Sequence, residues 1–478
     1  MNYKKFLTIV LIVLVTAGSL TCFIASGNSD ASAEESSSSE SASVDYKELD
    51  LENLFTNRDL TASFDEESAE NIVMSESNSN VNITEEGIYI ISGSCKDGSV
   101  TVNTDDTAKV QLVLNNLTLT SNSTAAIYVE NADKVFITTA KGTTNILTTS
   151  GEFVSDGETN IDGVIFSKDD ITLNGSGTLS INTDYGNGVV SKDDLKITSG
   201  TYNLNVSNKG VEANDSIRIT EAELNINADN DTIHSDGSVA VKSGTLNLES
   251  GDDGIHADYK TFILGGEINI TKSYELIEGT KIYISGGTIN GIASDDGINA
   301  SSAKDSDDMQ DGRMGKMSID EVDEDALISI SGGIININVE GDGIDSNGSI
   351  EISGGEVYVQ GPTNNGNGAL DYNGTAKITG GTLVAFGASG MAQNMSEASQ
   401  GSILITFTAS YTGKTSVTDS SGNEILSFNS NKSFNSVVVS SPELKKGETY
   451  TITVGEVYQT VTLDDYIYGG GNNMMNMR

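Results

Sequence analysis

The chain has 478 residues and a formal net charge of −43, with 51 glycines, 2 prolines, 2 cysteines and no tryptophan. Acidity on this scale argues against nucleic acid and anionic membrane surfaces as partners, because both are held by Lys and Arg. Two cysteines cannot build a disulfide framework, and Val, Ile and Leu recurring at strand spacing rule out disorder for the middle of the chain.

At the N-terminus, Lys4-Lys5 precedes an apolar run over residues 6–15, and Ala31-Ser32-Ala33 offers a cleavage site. Residues 1–33 therefore read as a secretory signal peptide. The alternatives are a lipid anchor at Cys22 and an uncleaved signal kept as a single anchor helix. No later stretch is long and apolar enough to span a bilayer. If Cys22 leaves with the signal, Cys95 has no partner. Residues 34–79 read as a Ser/Glu/Ala linker and a mixed acidic lead-in with room for one short helix.

From Asn80 short alternating segments begin, among them Val81-Asn82-Ile83, Val100-Thr101-Val102 and Leu117-Thr118-Leu119. From Gly163 they become a repeat. The residue before its paired apolar position is Gly188, Gly210, Thr232, Gly254, Leu276, Gly297, Gly343 and Gly368, with gaps of 22, 22, 22, 22, 21, 46 and 25. The longest gap is one repeat plus an acidic insertion at roughly 301–325. A leucine-rich repeat would need a Leu/Asn signature that is absent, and helical repeats need longer periods and helix formers. Each unit carries about three short strands, so residues 80–400 predict an all-β parallel β-helix with about 22 residues per coil. Equivalent residues then stack about 4.8 Å apart.

Each coil opens on an acidic phrase. Its copies are Gly251-Asp252-Asp253-Gly254-Ile255-His256-Ala257-Asp258, Ser294 to Ala300, Gly341 to Asn347, and a worn version at Asn230 to Asp236. A strand follows, then a Ser-Gly-Gly turn such as Ser285-Gly286-Gly287, then a strand centred on Asn, as in Leu224-Asn225-Ile226. Glycine pairs supply backbone conformations that other residues resist. Residues 401–465 lose the repeat and predict a small antiparallel C-terminal β cap over the open end of the stack. Residues 466–478 read as a flexible tail.

Stacking puts like charges in register. Asp231, Asp253, Glu275, Asp296 and Asp342 share one column, and Asp236 and Asp258 share another. Such ladders are unfavourable unless neutralised, and oxygen-rich clusters suit Ca²⁺. The expected calcium ligands are Asp231, Asp236, Asp252, Asp253, Asp258, Asp295 and Asp296, with Asp342 and Asp345 as a separate site. The competing reading is that these residues only cap turns through their own backbone. His234 and His256 fall in one outward column, continued by Glu212, Glu278, Asn299, Asp345 and Asp371. They are candidate carbohydrate contacts, ligands better suited to Zn or Cu than to Ca, or a surface pair without ligand. Phe262, Tyr283 and Tyr358 are expected to face outward and stack on sugar rings, beside an Asn ladder of Asn203, Asn225, Asn247, Asn269, Asn290 and Asn336. The same ladders also stabilise solenoids with nothing bound. In the insertion, Asp307 and Asp311 only loosely suggest an EF-hand, since Met309 and Ser318 fill ligand positions.

Catalysis has little support. A lyase would pair calcium with an Arg or Lys base, and of the four arginines only Arg218 lies on a coil strand, outside the acidic columns. Lys192, Lys209 and Lys260 lie closer to them.

The repeated phrase, the Ile-Ser-Gly-Gly turns and the Asn-centred strands together resemble the carbohydrate-binding β-helix proteins known mainly from clostridia. So does the closing run, from Thr412-Gly413-Lys414-Thr415 through Asp419-Ser420-Ser421-Gly422-Asn423-Glu424 to Val437-Val438-Val439-Ser440-Ser441-Pro442-Glu443-Leu444-Lys445. The resemblance covers roughly 80–463. It implies a right-handed parallel β-helix similar to pectate lyases, surface calcium, and binding of cellulose or acidic plant polysaccharides without cleavage. The expectation is a secreted or cell-surface, calcium-dependent polysaccharide binder, acting on pectin-type glycans or cellulose. A calcium-dependent lyase and a structural adhesin with purely stabilising calcium remain the alternatives.

Overall fold

The computed structural model describes residues 47–154, 159–302 and 322–470. The signal segment with Cys22, most of the acidic insertion and the end of the tail lie outside the described residues. The chain is a parallel β-helix in which each coil gives one strand to each of three ladders. The acidic phrase forms the first, through Val211–Ala213, Ile233–Ser235, Ile298–Ala300, Ile344–Ser346 and Leu370–Tyr372 with the openings of Ile255–Ile263 and Ile277–Ile284 between them. A middle ladder includes Asp194–Ile197, Ser216–Ile219 and Ser238–Val241. The Asn ladder runs through Thr201–Val206, Glu223–Ala228, Thr245–Ser250 and Glu267–Lys272.

The alternation in sequence explains why these segments pair in this way. In Glu223–Ala228 the side chains of Leu224, Ile226 and Ala228 are buried while Glu223, Asn225 and Asn227 are not. The coil strands contribute such apolar rows, which merge into one core running from Met74 to Val438, while the cap gathers a second core around Phe434, Ile452 and Leu463. Each fully buried Ile or Leu contributes about 1.5–3 kcal/mol relative to exposure. The turn into the Asn ladder needs a left-handed residue, supplied by Gly244 (φ 112), Gly266 (φ 95) and Gly287 (φ 85). In the coil that reads Thr220-Glu221-Ala222, Glu221 takes that conformation instead (φ 51).

Three features depart from the sequence reading. First, the coil stack begins earlier than residue 80, because Glu70–Met74 already pairs in parallel with Gly87–Cys95. Second, the lead-in has no helix among its described residues; it is a strap across the middle ladder. Asp59 anchors it there: the carboxylate meets Lys134 Nζ at 2.8 Å and Lys196 Nζ at 3.5 Å, and accepts from Thr172 Oγ1 at 2.9 Å. Burial pushes this carboxyl up, but Lys134, the Thr56 amide and Lys196 outweigh it and hold it well below the ordinary range. Arg58 stacks on Phe136 at 4.4 Å and donates to Gln111. Third, the tail starts late, since Ile467–Tyr468 pairs with Gly401–Asp419.

At the C-terminal end the last Asn-ladder strand, Thr382–Gly387, pairs antiparallel with Glu424–Ser441. That strand pairs with Gly401–Asp419, and Thr449–Val454 and Val457–Thr462 extend the unit. The reversal of direction gives the exposed strand edge a partner within the chain and so removes a template for self-association.

Candidate functional site

The acidic phrase places three carboxylate rows on one face. The row of Asp231, Asp253, Asp296 and Asp342 sits just before the strand, at the turn. One oxygen of each caps the next coil. The Asp253 amide donates to Asp231 Oδ1 at 3.0 Å, the Glu275 amide to Asp253 Oδ1 at 3.3 Å, and the Asp342 amide to Asp296 Oδ1 at 2.5 Å. The turn-capping reading is therefore realised, but it uses a single oxygen per residue. The other oxygen is left for the strip.

Along that strip the two halves differ. In the N-terminal half the protein supplies its own cations. His234 and His256 stack at 4.7 Å with an interplanar angle of 22°. His234 Nδ1 meets Asp231 Oδ2 at 2.8 Å and its Nε2 lies 3.3 Å from Asp236. His256 Nδ1 meets Asp253 Oδ2 at 3.1 Å and Glu278 Oε2 at 2.6 Å, while Nε2 meets Asp258 at 3.0 Å. Burial opposes the charge on His256, but Asp253, Asp258 and Glu278 together push its pKa up to about 12. His234 is raised in the same way against burial, by Asp231 and Asp236. These rings are imidazolium counterions to the ladder. Asp231, His234 and His256, and likewise Asp253, His256 and Glu278, bring donor atoms within 4.8 Å of one another, but both nitrogens of each ring already face carboxylates.

In the C-terminal half no histidine, lysine or arginine of the described residues enters the row. Asp296, Asp342 and Asp345 present oxygens within 4.8 Å of one another, and Asp371 pairs with Asp345 on the next coil. Burial, then the neighbouring carboxylates, push Asp345 up to about 8. Asp296 goes up to about 7 and Asp342 to about 6, also mainly through burial. Glu275, one coil away, reaches about 9 for the same first reason, although Asn299 Nδ2 donates to both its oxygens at 3.1 and 3.0 Å. Asn299 Oδ1, at the other end of that amide, is buried with no hydrogen-bond partner among the described residues. An oxygen-only donor set with an orphaned amide oxygen beside it fits a hard divalent cation such as Ca²⁺, which takes 6–8 oxygens.

The structure regroups the sequence candidates. Asp231, Asp252 and Asp253 lie within mutual reach. Asp296 leaves that set and joins Asp342 and Asp345. Asp236 and Asp258 stand outside the histidines as their second partners. Asp295 accepts from the hydroxyl of Tyr274, a tyrosine that is 47% exposed at the corner of the strip and that periodicity did not single out.

The aromatic expectations divide. Phe262 and Tyr283 do stack, at 5.2 Å and 11°, but not in solvent. Phe262 is 7% exposed and lies under Leu54, with Leu49 and Phe55 of the strap packed alongside. As a sugar platform Phe262 is therefore corrected: the lead-in covers it, a contact across some 200 residues that no local pattern reports. Tyr358 remains half-buried at the mouth of a cleft beside Phe428, which sequence reasoning missed because Phe428 belongs to the cap.

A family model described as "carbohydrate-binding domain-containing protein" matches residues 77–366. A curated protein of that same description from Acetivibrio thermocellus is 37% identical over 129 residues, which is 27% of this chain and 45% of the relative. The match thus spans less than half of that relative's length. Among solved structures, the polysaccharide lyase-like protein from C. thermocellum, in its gadolinium derivative, aligns at 24% identity and a TM-score of 0.30, covering 65% of this chain and 96% of the other.

Proposed function

The chain belongs to the family of carbohydrate-binding domain-containing proteins, and from that footing we propose that it is a secreted or cell-surface polysaccharide binder whose acidic strip works through calcium. One observation carries the calcium part: in the C-terminal half of the strip, Asp296, Asp342 and Asp345 face one another, with Asp371 next to Asp345 on the following coil, and no Lys, Arg or His of the described residues stands among them. In the N-terminal half two histidines meet Asp231, Asp253 and Glu278, although burial and then Glu278 still push Asp253 up to about 7; in the C-terminal half the carboxylates have only one another.

Asp296, Asp342 and Asp345 would hold the ion, with the Asn299 amide oxygen beside them. A bound cation reverses the local sign of the field. An acidic protein can then take an acidic polymer, with uronate carboxylates completing the ion's coordination. Tyr274, exposed at the same corner, offers a ring face to the sugar. Polygalacturonate is the preferred glycan under this reading.

The binding is non-catalytic. A lyase needs an Arg or Lys base beside the ion; Arg218 donates instead to Leu54 O at 3.3 Å, Ser216 Oγ at 2.9 Å and Asp194 Oδ2 at 2.9 Å, and Lys192 and Lys260 pair with Glu212 and Glu48. Pull-down on immobilised polygalacturonate with calcium and with EDTA tests the proposal. Calcium-dependent retention without a rise in ultraviolet absorbance of the soluble polymer is expected. Undiminished retention in EDTA overturns it, and a rise in absorbance turns the reading to a lyase. Calcium-dependent stability with no retention of any glycan turns it to an adhesin.

A further inference from the structure

The Asn ladder ends in a cleft that the acidic strip does not share. The cleft has a volume of about 370 Å³ and lies between the Asn strands and the cap. Its polar and aromatic lining includes Asn336, Asn338, Tyr358, Gln360, Phe428 and Asn429. No charged side chain lines it.

The ladder itself points into this cleft. Asn225 Nδ2 donates to Asn203 Oδ1 at 3.0 Å, Asn247 to Asn225 at 2.9 Å, and Asn269 to Asn247 at 3.2 Å. Asn290 donates to Asn269 at 3.0 Å and Asn336 to Asn290 at 3.0 Å. Every bond runs the same way. Aligned amides polarise one another, and the accumulated effect falls on the last acceptor, Asn336 Oδ1. That oxygen sits at the cleft and takes no hydrogen bond from the described residues.

The next rung opposite Asn336 is Tyr358. Its hydroxyl is turned aside to Glu356 Oε2 at 2.8 Å, so what it offers the cleft is its ring. Phe428 of the cap stands 5.4 Å away at 47°, and the two rings form a wedge. Carboxamides both donate and accept, as sugar hydroxyls do, and aromatic faces cover the apolar C–H side of a pyranose ring. A uronate carboxylate would find no positive partner here.

We propose that this cleft is a second glycan site, for a neutral hexose chain, with a sugar hydroxyl donating to Asn336 Oδ1 and a pyranose face against Tyr358 and Phe428. It rests on carbohydrate binding as the function of the chain, and not on calcium. The site is independent of the acidic strip and selects neutral over uronic sugars.

Calorimetric titration of the full chain with cellohexaose and mannohexaose in EDTA tests it. At least one of the two binds, and Phe428→Ala weakens it about tenfold, the change expected for a loss of about 1.4 kcal/mol. Melting temperature monitors the fold of each variant. Should Phe428→Ala prove destabilised, Asn338→Ala removes a lining amide and leaves the rings in place. Neither sugar binding in EDTA overturns the proposal, as does binding that survives both substitutions unchanged. Asp345→Asn separates the two sites: it abolishes calcium-dependent retention on polygalacturonate and leaves the neutral sugar's affinity as it was.

Discussion

Leu276 fills the space that Gly291 leaves empty. In neighbouring coils the residue before the paired apolar position is glycine, and an inward Ile or Val comes over it. A Cβ on Gly210 would lie 2.5 Å from Ile226 Cγ2, one on Gly254 2.7 Å from Ile270 Cδ1, and one on Gly343 2.4 Å from Val359 Cγ1. In one coil the roles are exchanged: a Cβ on Gly291 would lie 2.4 Å from Leu276 Cδ1. Leu276→Gly alone opens a cavity and should cost about 3–5 kcal/mol. Gly291→Ile alone overpacks the same point. The double exchange restores the arrangement of the other coils and should recover about 2 kcal/mol or more relative to the sum. Chemical denaturation of the cycle measures this, and simple additivity would refute the exchange.

Calcium affinity should rise steeply with pH. The ion must displace protons from Asp345, Asp296 and Asp342, which burial and mutual repulsion have pushed up to about 8, 7 and 6. Without the ion the sign of stability runs the other way. Carboxyls raised in the folded state stabilise it below their ordinary value, and that contribution is lost as pH rises through about 6 to 8. The melting temperature in EDTA should fall from about pH 5 to pH 8, and calcium at a hundred times its dissociation constant should restore about 2.7 kcal/mol at pH 8. A melting temperature indifferent to calcium at pH 8 would count against the site.

His256 should remain charged far above the usual histidine range. Its pKa is pushed up to about 12 by Asp253, Asp258 and Glu278 against the opposing effect of burial. Nitrogen-15 shifts of its imidazole should report the protonated ring at pH 8, where an ordinary histidine is neutral. The stabilisation is complete below the ordinary value of about 6.5 and declines as pH climbs toward the folded value. His256→Gln leaves buried carboxylates without their cation and should cost about 3–5 kcal/mol at pH 7. A ring that titrates near 6.5 would remove the imidazolium from this account.

The strap should come loose when Asp59 loses its charge. Its carboxyl is held low, so its contribution exists above the ordinary value of about 3.8 and disappears as pH falls below it. Asp59→Asn breaks the contacts to Lys134 and Lys196 at every pH and uncovers Phe262. Hydrogen exchange over residues 47–64 should accelerate well before the coils unfold. Glycan retention should be untouched by Phe262→Ala, because that ring packs under Leu54; a loss of retention would restore Phe262 as a sugar contact.

The sequence by itself determined whatever repeats. A period of about 22 set the coils, the inward Ile and Leu rows, the turn glycines, the Asn ladder and the membership of the acidic columns, since each depends on residues one coil apart in an identical setting. Leu276 already stood among the glycines of the repeat as an exception, but its partner Gly291 and the meaning of the exchange needed the packing. What only the tertiary structure decided lies where non-repeating chain meets the stack. Leu54 covers Phe262, Asp59 gathers Lys134 and Lys196, and Phe428 turns Tyr358 into one wall of a cleft. Within the columns, the fold decided which carboxylates meet a histidine and which face only one another. Periodicity fixes a residue's column and face, but the charge it carries depends on neighbours brought in from outside the repeat and on how deeply they bury it.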